Sequence, residues 1–112
     1  KEIEMDLQVE KNGIFQVIKF AGRLDTTSSE ETKMKIEEII ASGEKQLVID
    51  CSQLDYISST GLRVFLSALK KLNNSDGSLR ITGLQENIKQ IFDISGFTKL
   101  FQIYPDLDSA VK

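Results

Sequence analysis

The chain has 112 residues, 40% of them hydrophobic and 28% charged, with a net charge of −3. That composition suits one globular domain over residues 1–112 and gives no electrostatic case for nucleic acid or an anionic membrane as partner. There is no histidine and a single cysteine, Cys51, which excludes Ser-His-Asp and Cys-His catalysis, histidine metal sites and any disulfide within the chain.

The elements follow in order. Met5, Leu7 and Val9 alternate with Asp6, Gln8 and Glu10, the pattern of a half-buried strand. Asn12-Gly13 marks a hairpin, and Ile14 to Phe20 supplies the returning strand. Gly22-Arg23-Leu24-Asp25 is expected to leave the sheet, with a helix beginning at Thr27 or Ser28 and a capping box closed by Glu30 or Glu31. Its inward stripe is Thr32, Ile36, Ile39 and Ile40, and Gly43 stops it. Leu47 to Asp50 reads as a buried strand, with Cys51 just beyond it as a packing residue, and then a polar connection. A helix follows from about Thr60 to Leu72, and Asn73 to Gly77 is a turn.

Leu79 to Thr82 is a short strand. The next helix carries Ile88, Ile91 and Phe92 inward and ends at a left-handed Gly96 with Phe97 as its hydrophobic contact. Leu100 to Ile103 reads as a last strand and Pro105-Asp106 as the start of a final helix. The order β-β-α-β-α-β-α-β-α predicts an α/β domain with a mixed, mostly parallel sheet and an N-terminal hairpin, its crossovers right-handed.

Ser58-Ser59-Thr60-Gly61 opens the second helix. Hydroxyl residues there are candidate caps for free backbone N–H groups, and the same place suits a phosphate because those groups and the helix dipole favour negative charge. Two hydroxyls ahead of Thr60 are more than one cap requires. On this helix Leu62, Phe65, Leu66, Leu69 and Leu72 form the stripe that packs on the sheet, while Thr60, Arg63, Ser67, Lys70 and Lys71 fall on the wet side. Val64 stands among the wet residues. With Thr60, Arg63 and Ser67 it is expected to form a docking patch next to Ser59, as its exposed apolar contact. Asp25, Asp50 and Asp55 all lie near predicted strand ends. They read either as turn chemistry or as a magnesium site for a small enzyme, although no histidine or lysine base accompanies them.

The strand–loop–Ser-Ser-Thr-Gly-Leu–helix segment, with Gly22-Arg23-Leu24-Asp25 before it and Ile94-Ser95-Gly96-Phe97 after it, resembles the STAS domain family and within it the bacterial anti-sigma factor antagonists. The resemblance spans nearly the whole chain. It implies a binding module rather than an enzyme, with no cofactor or metal, which takes part in a partner switch. Ser59 would be phosphorylated by an anti-sigma factor that is also a serine kinase, and restored by a serine phosphatase. It also places Asp25 beside Ser59; together with the docking patch read from the helix, the expected partner-binding set is Asp25, Ser58, Thr60, Gly61, Arg63, Val64 and Ser67. Many members carry aspartate immediately before the modified serine; Ser58 stands there instead and offers a second acceptor.

Other readings stay open at this level. The same module serves other partner-switching or transport complexes, and the aspartate–magnesium enzyme has the residues named above. A receiver domain would need an acidic pair after its first strand, where Asn12-Gly13 stands. No apolar run approaches the roughly 18 residues of a membrane helix, no signal-peptide pattern is read, and one free cysteine suits the reducing cytoplasm.

Overall fold

The hairpin at the start shows how side-chain pairing fixes register. In the computed structural model, which describes residues 5–112, β1 (Met5–Asn12) runs antiparallel to β2 (Phe15–Leu24). The expected turn is present in a different frame. Asn12 pairs with Phe15 as the last rung, and Gly13, at φ +62°, takes the first of two turn positions, where a II′-type turn needs glycine. This register sets Leu7 against Phe20 and Val9 against Ile18. An Asn-Gly turn would slide Val9 opposite the polar Gln16. The burial expected for Met5 lies outside the described residues.

β2 then continues where the sequence suggested it would leave the sheet. Gly22, Arg23 and Leu24 pair with Leu54, Tyr56 and Ile57 of β3, which spans Gln46–Ile57 rather than stopping at Asp50. Two register shifts, between Lys19 and Ala21 and between Gly22 and Arg23, each leave an extra residue on β3. The inward positions of its second half therefore fall at Cys51, Leu54 and Ile57, three apart. Bulges of this kind remove the period of two by which a strand is recognised in sequence.

β4 (Ser78–Thr82) and β5 (Gln102–Tyr104) complete a sheet of order β1-β2-β3-β4-β5, parallel from β2 onward. β5 is shorter than expected because a 3-10 turn, Phe97–Lys99, follows the left-handed Gly96. Helices α1 (Thr26–Ala41), α2 (Ser59–Asn74) and α3 (Glu86–Ile94) cover one face, and the short α4 (Leu107–Ala110) covers part of the other. The three-helix face holds the main core, in which Phe20, Phe65, Phe92 and Phe101 form a chain of rings with centroids 5.7 to 6.1 Å apart. On the second face α4 packs over Phe15, Val17 and Val48, and Arg80 stacks on Phe15 while donating to the carbonyl oxygens of Ala110 and Lys112.

This architecture brings the carboxyl ends of β2 and β3, and the first turns of α1 and α2, to one edge of the sheet. Loops at that edge are where open α/β sheets place their ligands.

Candidate functional site

The edge is built around one buried carbonyl. Leu24 oxygen accepts from the Ser58 backbone N–H at 2.9 Å, which ties the end of β2 to the start of α2. Gly61 lies against the same atom. A Cβ there would stand 2.7 Å from Leu24 oxygen and 2.9 Å from Ile57 Cγ1, closer than such atoms approach. Glycine at 61 is therefore what lets the first turn of α2 settle on the sheet. Gly61 is itself buried, so it shapes the surface from beneath.

Ser58 is the N-cap of α2, with its Oγ accepting from Gly61 N–H at 3.1 Å. Ser59 is the first helical residue and is exposed, and among the described residues its hydroxyl has no hydrogen-bond partner. One hydroxyl is thus used by the fold and the next is free to react. Asp25, expected near Ser59, directly follows Leu24, whose carbonyl holds Ser58. It caps α1 in place of the expected Thr27 or Ser28: its Oδ1 accepts from the N–H groups of Thr27 and Ser28, and its own N–H donates to Ser28 Oγ at 3.1 Å. The reciprocal box is thus Asp25–Ser28, and Glu30 and Glu31 stay exposed.

Val64 needs a correction. It is only 4% exposed and belongs to the main core. The helical spacing of α2 registers the sheet, but α1 lies along the flank of α2 and buries a second stripe. Val64 is the apolar floor of a groove of about 460 Å³ between the two helices, with Thr60, Arg63 and Ser67 on one side and Thr26, Ser29, Glu30 and Lys33 on the other. Arg63 is exposed, and Thr60 and Ser67 are half-buried. The expected patch is therefore a polar rim over an apolar floor.

The aspartates do not converge. Asp50 accepts from Ser52 N–H at 3.0 Å and lines a pocket of about 220 Å³ with Asp6, Gln8 and Lys19. Asp55 accepts from Gln85 through Oδ1 and from Asn87 through its carbonyl. Among the described residues no three His, Cys, Asp or Glu side chains are placed to hold a metal ion. Cys51 lies within β3 and is fully buried; desolvation, and then the neighbouring Asp50, push its thiol pKa far up, which keeps it neutral and inert.

One pair escaped the sequence reading. The Arg23 guanidinium stacks 4.2 Å from the Tyr56 ring centroid, and its Nε lies 3.8 Å from Asp25 Oδ2. The two residues meet because Arg23 and Tyr56 are register partners in the extended part of β2 and β3, which the sequence did not reveal.

Comparison with known proteins agrees with this fold. The anti-sigma-B factor antagonist of Staphylococcus epidermidis is 32% identical over 89 residues, covering 80% of this chain and 82% of that one. The crystal structure of an anti-sigma factor antagonist from Mycobacterium paratuberculosis superposes with a TM-score of 0.87 at 24% identity, covering 95% and 90% of the two chains. SpoIIAA of Bacillus in its phosphorylated form gives 0.72 at 20% identity, covering 93% and 96%. These two structures share the fold. The STAS domain model matches residues 6–110, so the helix-capped serine edge sits in a domain matched almost from end to end, and the chain belongs to the STAS domain family.

Proposed function

We propose that this domain is an anti-sigma factor antagonist, a binding module whose hold on an anti-sigma factor is controlled at Ser59. The observation that carries this reading is the division of labour at the start of α2: Ser58 caps the helix while Ser59 stands exposed, its hydroxyl unengaged among the described residues. A relative at 32% identity is named an anti-sigma-B factor antagonist, and a structural neighbour is known in a phosphorylated form. In the unmodified state the Ser59 edge and the α1–α2 groove receive the partner, a serine kinase in the cytoplasm.

Transfer of the ATP γ-phosphoryl group to Ser59 Oγ, with loss of the hydroxyl proton and departure of ADP, adds about −1.5 to −2 charges and three acceptor oxygens. The helix end tolerates them, so the fold persists and the partner meets charge and bulk it does not fit. A serine phosphatase reverses the step.

The test is capture from the source cell with and without ATP, followed by phosphosite mapping. The expected result is a kinase-like partner retained without ATP and released with it, and a single phosphate on Ser59. Ser59→Ala should retain the partner under both conditions. No phosphate, or a phosphate only on Thr60, would overturn the reading.

A further inference from the structure

We propose that Arg63 takes hold of the phosphate on Ser59, so that modification draws this arginine off the rim of the α1–α2 groove and changes the docking surface from within. The inference rests on Ser59 being the modified residue. Ser59 and Arg63 stand four residues apart on α2 and both are exposed, which makes them neighbours on one flank of the helix. Long side chains on a helix lean toward its N-terminus, the direction that carries an arginine at 63 back toward the turn that begins at Ser59.

The other cations near this edge differ from Arg63 in one respect or another. Arg23 is engaged by the Tyr56 ring and by Asp25. Lys33 belongs to α1, across the groove, on the same wall as Glu30. Lys71, further along α2, pairs with Glu37. Arg63 has no carboxylate partner among the described residues. Its planar fork matches two phosphate oxygens at once, a fit that lysine lacks.

The arrangement explains how a modification at the helix start reaches the groove without moving the backbone. Before phosphorylation Arg63 presents positive charge on the rim beside Thr60 and Ser67. Afterwards its guanidinium is engaged one turn away, and Glu30 across the groove loses the cation that faced it. The partner then meets a new anion at Ser59 and a missing cation at the groove.

The test needs no kinase. Phosphoserine is incorporated at position 59 during translation, and the second ionisation of its phosphate, ordinarily near pH 6, is followed by ³¹P NMR. The charged groups on the elements that meet at this edge are Arg23 and Asp25 at the end of β2, Glu30 and Lys33 on α1, and Arg63 on α2. Removing the nearest cation raises this pKa: Arg63→Gln should lift it by about half a unit, with Arg63→Lys falling between, while Lys33→Gln moves it by less than about 0.1. Equal titrations in the parent and in Arg63→Gln would overturn the proposal, as would a Lys33→Gln shift as large as that of Arg63→Gln. A failure to find Ser59 modified in cells would count against the functional reading and not against this titration.

Discussion

Two strand-to-helix junctions lie side by side at the candidate functional edge, and they are closed in different ways. At the α1 junction Asp25 brings its own negative charge, accepts from two N–H groups and receives a reciprocal bond through Ser28. At the α2 junction a neutral hydroxyl, Ser58 Oγ, accepts from one N–H group, and the rest of the hold comes from a backbone bond to Leu24 and from the missing side chain of Gly61. A helix start already occupied by a carboxylate has little to offer another anion. One closed by a neutral cap and by close packing keeps its capacity for charge, and that is the junction where Ser59 is exposed. The lesson is that capping by packing leaves electrostatics available for regulation.

The comparison can be broken most severely from the groove between the helices. Val64→Glu buries a carboxylate on the α1–α2 seam and should cost about 2–3 kcal/mol in denaturant unfolding, whereas Arg63→Glu, one residue earlier and exposed, should stay within about 0.5 kcal/mol. Equal effects would show that α1 does not bury this flank. Gly61→Ala comes next. Its methyl group would collide with Leu24 oxygen, and the loss should be about 2 kcal/mol by chemical denaturation. A loss below about 0.5 kcal/mol would mean that the α2 junction is not held by close approach.

Removing the caps compares the junctions directly. Asp25→Ala should cost about 1.5 kcal/mol and Ser58→Ala about 0.5–1 kcal/mol, since the first removes the acceptor of two backbone N–H groups and of the Thr27 hydroxyl and the second removes the acceptor of one N–H. The reverse order in paired melts would remove the distinction drawn here. The smallest effect is that of phosphoserine at position 59, which should shift the melting temperature by only a few degrees because an anion at this end is worth about 0.3–1 kcal/mol. Loss of cooperative unfolding would turn the proposed surface switch into a local melting event.

Much of this was legible in the residues. The element order, the hairpin, the helix stripes and a hydroxyl cap somewhere in Ser58 to Thr60 follow from periodicity and capping chemistry, signals carried by neighbours along the chain. The second half of β3 was hidden because two bulges space Cys51, Leu54 and Ile57 three apart, so Ser52, Gln53 and Asp55 looked like a loop. Val64 was misread because helical spacing records that a side chain has a neighbour but cannot say how many elements press on the helix. Arg23 and Tyr56 were both visible and their meeting was not, since it depends on the register of a strand extension that the bulges concealed.

The grip of Arg80 on α4 has a further consequence. A four-residue helix has almost no stability of its own; α4 persists because Arg80 binds carbonyl oxygens at its end and Leu107 and Val111 rest on Phe15, Val17 and Val48. Its opening is therefore a separate, shallower event than unfolding of the sheet. The amides of Ala110 and Val111 should exchange with solvent ahead of those in β2 and β3. Each such excursion bares the far side of the sheet while the three-helix side stays closed. Breathing is thereby confined to the face opposite the proposed serine site, so that the serine edge keeps its shape through fluctuations that loosen the other side.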